Sequence, residues 1–332
     1  MAHGIEIRDG QASMMYVGDV PWHGLGVRLD RPATAFEALR AARLDWVVDK
    51  KPLYASVRDD SRGVPRWFMI VRPDLVGSGS FPVLGIVGKG YRPLQNREAF
   101  EFLDPIVGEG AAAYHTAGAL GNGERVWILA KLPVPMRVVG DDIAEKYLLL
   151  SNSHDGTSSV QIKFTPVRVV CQNTLTLALS DGRTLRVRHT RNLMRNLAAA
   201  RYALGIIDAG FRGLEESFVA MTRVPMNPER LGDYLARVFP APGSPADGKA
   251  ARRVARDRAW SEYFFDQGKG ADLPGVRGTL WAAYNGVTEL VDHRQLDQPA
   301  DRRLSSVWFG EGYRAKARAY RVAVEQMGVW RN

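Results

Sequence analysis

The chain has 332 residues, of which 45% are hydrophobic and 24% charged, and this composition excludes a wholly disordered protein. Its 45 lysines and arginines exceed its 36 acidic residues, and the resulting net charge of +9 favours a polyanionic partner such as nucleic acid. No apolar run is long enough to span a membrane and the N-terminus lacks a signal-peptide core, so we expect a cytoplasmic protein without a membrane partner. Cys171 is the single cysteine, which excludes an internal disulfide and gives no zinc pattern.

The first part of the chain has the pattern of strands that lead into a helix. Residues 45–57 and 66–74 are rich in β-branched and aromatic residues, and a cluster of turn-forming residues separates them. Residues 81–96 form a third apolar run that contains several glycines. Asn96 has the position of a helix N-cap, because apolar residues follow it at helical spacing over 97–107. The sequence therefore predicts a β-β-β-α unit.

Two turn signals and a basic strand follow this unit. Gly-Asn-Gly at 121–123 stands between two apolar runs and predicts a hairpin. Asp-Gly at 155–156 predicts a turn between two further strands, and Asn173 predicts the cap of a short helix. Residues 183–189 alternate between apolar and basic side chains, which predicts a strand with one basic face.

The second part of the chain has helical patterns. Apolar residues recur in steps of three and four between 193 and 218, which predicts one long helix with an apolar seam. Asn227 and Pro228 predict the start of the next helix, and further helices are expected over 280–293 and 312–327. Between them, residues 240–259 begin as a Pro-rich linker and become strongly basic.

These elements predict an α+β protein with an N-terminal, antiparallel β-rich half followed by a mostly helical C-terminal half. We expect an α+β core domain over residues 1–190 and a helical region over 191–332, with the basic linker near 240–259. A chain of this length favours two domains over one.

No motif marks the chain as an enzyme. The glycines of the sequence GIVGKGY at 85–91 lack the spacing and the following Ser or Thr of a phosphate-binding loop. Cys171 could act as a nucleophile with His154 or His189 as its base, and His154 with Asp155 could form an acid–base pair. A small buried hydrophobe and an Asp-Gly turn explain the same residues without chemistry. We therefore expect a non-enzymatic protein without cofactor or metal.

Basic residues are the better candidates for function. Lys163 and Arg168 lie five positions apart on one predicted strand, so strict alternation places them on opposite faces unless Pro166 marks a bulge. A cationic stripe could follow a phosphate backbone, and aromatic rings beside it could stack on bases. A solvated charged face and core aromatic residues are the alternatives. The candidate DNA-binding residues are Lys163, Arg168, Arg183, Arg186, Arg188, Arg191 and Arg195, and the candidate stacking residues are Tyr91, Tyr114 and Trp127.

Three blocks of sequence carry a resemblance to a known family. They are PWHGLG at 21–26, HDGTSSV with FTPVRVVCQNTL and RHT between 154 and 190, and WAAYNGVTELVDH at 281–293. In this order they resemble the phage/plasmid-like proteins of unknown function found on prophages, plasmids and actinobacterial phages. The resemblance runs from about residue 15 to about residue 325. The family's β-β-β-α unit and basic strand region are similar to the core of single-strand annealing recombination proteins.

Three hypotheses follow. The first is a non-enzymatic protein of a mobile element that binds and anneals single-stranded DNA in recombination or replication and assembles as a homo-oligomer. The second is a host-interaction or anti-defence regulator that binds a protein partner. The third is a cryptic nuclease or hydrolase that uses His154, Asp155 or Cys171.

Overall fold

The computed structural model describes residues 4–18, 21, 24–57, 60–79, 81–106, 112–168, 173–174, 185–204, 207–243, 247–293, 306–307 and 310–329. Strands dominate the N-terminal part and helices the C-terminal part, which confirms the predicted α+β class. Cys171 and Arg183 lie outside the described residues.

The regular elements are numbered in chain order. The strands are β1 (Ile7–Arg8), β2 (Gln11–Ala12), β3 (Met14–Val17), β4 (Val27–Leu29), β5 (Asp49–Val57), β6 (Asp60–Val71), β7 (Val83–Gly88), β8 (Ala113–Leu120), β9 (Arg125–Lys131), β10 (Met136–Val139), β11 (Asp142–Ser153), β12 (Val160–Arg168), β13 (Asn173–Thr174) and β14 (Leu185–Val187). The helices are α1 (Ala35–Ala41), α2 (Asn96–Ile106), α3 (Leu193–Leu204), α4 (Ile207–Met221), α5 (Pro228–Val238), α6 (Gly248–Gln267), α7 (Leu280–His293) and α8 (Glu311–Val329).

The chain divides into two compact units, each assembled from three stretches of sequence. The first unit comprises residues 1–133, 147–163 and 184–205, and the second comprises 134–146, 164–183 and 206–332. The units are therefore interleaved along the chain, whereas the sequence predicts two consecutive regions.

The first unit contains the main sheet and the β-β-β-α unit. Its main sheet has the strand order β14-β12-β11-β9-β8-β3-β4, and β3 and β4 are its parallel pair. The hairpin predicted at 121–123 joins β8 to β9. Strands β5, β6 and β7 form a separate antiparallel sheet that precedes α2, which confirms the β-β-β-α prediction.

The second unit is mainly helical and is built around α7. Every residue from Leu280 to Asp292 is buried, and α7 packs against α6 and α8. The indole Nε1 of Trp281 donates to the Asp142 carboxylate at 2.7 Å, which satisfies a buried donor. As predicted, Asn227 caps α5 and Pro228 occupies its first turn.

Local predictions fail at several positions where other interactions compete. The expected N-cap Asn96 is instead the first residue of α2, and its amide donates to the Leu44 carbonyl at 3.0 Å. Asn173 belongs to β13. The seam over 193–218 is divided between α3 and α4, and the predicted basic linker is helical from Gly248 onward because it forms the first half of α6.

A buried cation organises the core of the first unit. The guanidinium of Arg72 is 1% exposed and lies 2.5 Å from the Glu6 carboxylate. It also donates to Asp74 and to the Asn122 carbonyl, and it stacks on the Trp46 ring at 3.9 Å. A buried charge is tolerated only when such partners replace its lost hydration.

Removing the Glu6 carboxylate should strongly destabilise the first unit. In Glu6→Ala the Arg72 charge stays buried with Asp74 as its remaining carboxylate, and we expect a loss of about 3 kcal/mol in the free energy of unfolding. Denaturant titration followed by tryptophan fluorescence measures it, since Trp46 contacts Arg72. The control is Asp60→Ala, which breaks the exposed Asp60–Arg62 pair and should cost little. Equal losses in the two variants would contradict the assigned role of Glu6.

Candidate nucleic-acid interface

A basic strand lies at one end of the main sheet of the first unit. Strand β14 pairs antiparallel with β12, and Arg186 is opposite Gln161. Arg186 and Arg188 are exposed while Val187 is buried, as the alternating pattern predicts. The strand therefore presents one apolar face to the core and one basic face to solvent.

The register of this pair brings Lys163 to the same face as Arg186. Successive side chains of a strand alternate between its faces, so Lys163 shares the face of Gln161, and Gln161 is opposite Arg186. Burial lowers the pKa of Lys163 to about 8, with smaller contributions from the positive charges of Arg186 and Arg125. Both arginines are therefore close enough to Lys163 to act on its charge, and the Lys163 side chain itself is 8% exposed.

Other basic residues extend this group along the chain. Arg188 follows β14, Arg191 lies before α3, and Arg195 is in its first turn; all three side chains are exposed. We call Arg125, Lys163, Arg186, Arg188, Arg191 and Arg195 the basic edge. Arg168 pairs in register with Asn173, but its side chain lies outside the described residues.

The three predicted stacking residues have structural contacts. Tyr114 is 0% exposed and donates to the Phe100 carbonyl, and Trp127 is 2% exposed and donates to Thr116. Tyr91 is half-buried; its ring stacks on His189 and its hydroxyl donates to the Ser153 carbonyl at 2.7 Å. The rings of Tyr114 and Trp127 are therefore inaccessible to a base in this structure.

Two aromatic residues that sequence reasoning missed are accessible instead. Tyr54 on β5 is 60% exposed, and Trp67 on β6 is 50% exposed. In the sheet of β5, β6 and β7, which we call the small sheet, Met69 pairs with Lys51 on one side and with Ile86 on the other. Trp67 is two residues from Met69, so its side chain lies on the same face of the sheet, where Ile86 is also exposed. Trp67 begins an unbroken apolar run over residues 67–71, so no alternation in the sequence could have identified it as exposed.

His154 is a buried structural residue. Its Nε2 lies 3.0 Å from the side-chain oxygen Oδ1 of Asn96. The amide nitrogen of the same side chain donates to the Leu44 carbonyl. The Asn152 amide nitrogen lies 3.3 Å from the same Nε2 of His154, so two asparagine side chains hold the imidazole ring. Burial, with smaller contributions from the nearby His189 and Arg72, lowers the pKa of His154 to about 3. The imidazole is therefore neutral and holds the start of α2 in place.

Asp155 and His189 are also occupied by local contacts. The Asp155 carboxylate accepts hydrogen bonds from the Ser153 hydroxyl and from the backbone and hydroxyl of Thr157. The Nδ1 of His189 donates to the Arg92 carbonyl at 3.1 Å, and burial lowers the pKa of the imidazole. Gly156 has φ of +75°, and a side chain there would meet Val87 on β7. These contacts dock the Asp-Gly turn on the small sheet.

The described part of the chain offers little for catalysis at this position. It contains no group of three or more His, Cys, Asp or Glu residues that could hold a metal. The proposed pair of His154 and Asp155 is engaged in structural hydrogen bonds, and His154 is fully buried.

Comparison with known proteins places the chain in a family. A family model described as a domain of unknown function, DUF932, matches residues 83–308, which is more than half of the chain. The chain belongs to the DUF932 family. The DUF932 region begins at β7 and includes His154, Lys163 and Arg186, whereas Trp67 lies before it.

The two other comparisons found no match, either among the curated proteins or among the solved structures. In the described residues, no helix is both long and apolar enough to cross a membrane. The DUF932 match therefore gives family membership alone.

The buried histidine should make folding sensitive to acid. The pKa of His154 is lower in the folded protein than in the unfolded chain, so the unfolded chain binds the proton first as the pH falls below about 6.5. Its contribution to stability is thus complete above about pH 6.5 and decreases at about 1.4 kcal/mol per pH unit toward pH 3. The lowered pKa of His189 acts in the same direction.

His154→Gln isolates this effect, since glutamine can donate to Asn96 but does not titrate in this range. We expect a smaller loss of unfolding free energy in the variant than in the wild type between about pH 7.5 and pH 5.5, as measured by urea titration. The same loss in both proteins would show that the pKa of His154 is not lowered in the folded state.

Proposed function

We propose that the protein binds single-stranded DNA through the basic edge and acts without catalysis in annealing during recombination or replication of a mobile genetic element. The observation that carries this proposal is the pairing of β12 with β14, which places the exposed Arg186 on the same face of the sheet as Lys163, with Arg125 also close enough to act on the Lys163 charge. The exposed Arg188, Arg191 and Arg195 extend the group. The net charge of +9 supports the same class of partner.

Electrostatic energy explains why such a group suits a phosphate backbone. Burial, and to a smaller extent repulsion from Arg186 and Arg125, destabilises the charged form of Lys163 in the free protein. A phosphate placed among the three cations replaces that repulsion with attraction and raises the pKa of Lys163 again. Each phosphate contact also releases condensed counterions, which makes the binding sensitive to salt.

Two features support a single strand over a duplex. Tyr54 and Trp67 expose large rings, and proteins that bind single strands stack unpaired bases on such rings. The resemblance to phage/plasmid-like proteins, and the similarity of their β-β-β-α unit to annealing proteins, support the mobile element and the homo-oligomer. A regulator that binds a host protein is the alternative, and it requires no affinity for DNA.

Removing two arginines of the basic edge should weaken binding and its salt dependence together. For Arg186→Ala with Arg188→Ala we expect about tenfold weaker binding of a labelled single-stranded oligonucleotide near 100 mM salt. The slope of log affinity against log salt should shrink by roughly 1.4, because two phosphate contacts are lost. Fluorescence anisotropy over a salt series measures both quantities.

The matched control is Arg28→Ala with Arg97→Ala, which removes the same charge from exposed residues outside the basic edge. It should leave the slope almost unchanged. Particle size recorded on the same samples tests the homo-oligomer. If wild-type protein retains no oligonucleotide at low salt, the proposal fails and the protein-binding alternative is favoured.

The lysine of the basic edge should make DNA binding depend on pH. Since the pKa of Lys163 is about 8, most of its charge is lost by about pH 9, where an ordinary lysine stays charged. We expect wild-type affinity to fall between about pH 7 and pH 9 by about fivefold more than that of Lys163→Arg, which stays charged throughout. Parallel anisotropy titrations measure the difference, and identical losses would exclude Lys163 from the interface.

A further inference from the structure

The second unit contains a cavity that the proposed DNA-binding function does not use. Its volume is about 260 Å³, and its walls come from the chain just after α5 and from α6, α7 and α8. Apolar side chains line part of it, among them Phe239, Val254, Leu290, Val291 and Ala315. This apolar part can receive the body of an organic ligand.

Charged side chains form the remaining walls. They are four arginines and two carboxylates: Arg253, Arg256, Arg314, Arg318, Asp257 and Glu311. The lining therefore has a formal charge of +2. Arg253 and Arg314 are exposed, so the charged part of the cavity opens to solvent.

Two of these arginines form ion pairs with the carboxylates, whereas Arg318 donates its Nε to the Val238 carbonyl and is only influenced by the charge of Glu311. Arg256 pairs with Asp257 at 2.8 Å, and Arg253 lies 3.8 Å from Glu311. Within the described residues, neither Arg314 nor Arg318 forms an ion pair. Burial lowers the pKa of Arg318, and the charges of Arg321 and Arg314 lower it further. Excess positive charge is thus held beside an apolar cavity.

We propose that this cavity binds a small organic phosphate, a phosphomonoester attached to a flat ring, of about mononucleotide size. Guanidinium groups bind phosphate oxygens through paired, charge-assisted hydrogen bonds. The Arg314 guanidinium and the terminal nitrogens of Arg318, whose Nε donates to the Val238 carbonyl, are the groups we assign to this contact. The apolar walls, which include the Phe239 ring, receive the flat ring. Inorganic phosphate would leave these walls uncovered.

The carboxylates limit the number of phosphates. A phosphomonoester carries about −1.5 to −2 at neutral pH, which matches the +2 of the lining. Further phosphates would meet Asp257 and Glu311, whose like charge disfavours them. A nucleoside monophosphate should therefore bind at least as tightly as the corresponding triphosphate.

Titration calorimetry at low ionic strength tests this site with adenosine monophosphate, adenosine, inorganic phosphate and adenosine triphosphate as probes. We expect saturable binding of the monophosphate, and binding at least about tenfold weaker for adenosine and for inorganic phosphate. No binding of the monophosphate would overturn the proposal. Equal binding of inorganic phosphate would overturn the role of the apolar walls, and tighter binding of the triphosphate would overturn the charge match.

Arg314→Ala should weaken binding of the monophosphate by at least about tenfold. Its side chain is exposed, so we expect the variant to fold, and its unfolding midpoint checks this. The control Arg252→Ala removes an exposed arginine of α6 that does not line the cavity, and it should bind normally. Unchanged affinity in folded Arg314→Ala would overturn the site.

The same experiment separates this site from the basic edge. Arg186→Ala with Arg188→Ala changes the first unit only and should bind adenosine monophosphate like the wild type. Conversely, Arg314→Ala should keep the salt slope of oligonucleotide binding. Loss of monophosphate binding in the basic-edge variant would show that the ligand occupies the first unit and would overturn the proposal.

Discussion

The first unit depends on the neutralisation of one buried cation. Arg72 is surrounded by Glu6, Asp74, the Asn122 carbonyl and the Trp46 ring, which come from four separated stretches of the chain. Since an uncompensated buried charge is very costly, these stretches can pack only when all the partners converge on the guanidinium. The network thereby joins the start of the chain to the small sheet and to the β8–β9 hairpin.

This network extends to His154. Trp46 connects Arg72 to His154. The Arg72 guanidinium stacks on the Trp46 ring, and the centroids of the Trp46 and His154 rings are 5.3 Å apart. The charge of Arg72 and the burial of the imidazole both favour neutral His154. The Nε2 of this neutral ring contacts Asn96 and fixes the first residue of α2. A motif that suggests acid–base chemistry is therefore part of the scaffold.

The second unit uses the same physical rule in a helical setting. Helix α7 is buried on all sides, so its polar side chains need partners inside the protein. The Lys316 ammonium lies 2.7 Å from Asp292, and Glu289 accepts from the backbone of Lys269. Burial lowers the pKa of Lys316, and Asp292 opposes that shift. Lys316 and Asp292 thus pair inside the unit, whereas Arg314 and Arg318 at the cavity form no ion pair within the described residues and Arg318 donates to the Val238 carbonyl instead.

Local sequence was sufficient where neighbours in the chain determine the structure. The β-β-β-α unit, the hairpin at 121–123, the Asn227–Pro228 helix start and the alternation of β14 all follow from turn chemistry, capping and side-chain periodicity. These depend on contacts within a few residues. Only the tertiary structure decided that Asn96 contacts His154. It also decided that Tyr114 and Trp127 are buried while Trp67 is exposed. The same holds for the arginines of α6 and α8, which line one cavity. The physical reason is that burial and charge pairing depend on residues far apart in the sequence, which no local pattern encodes.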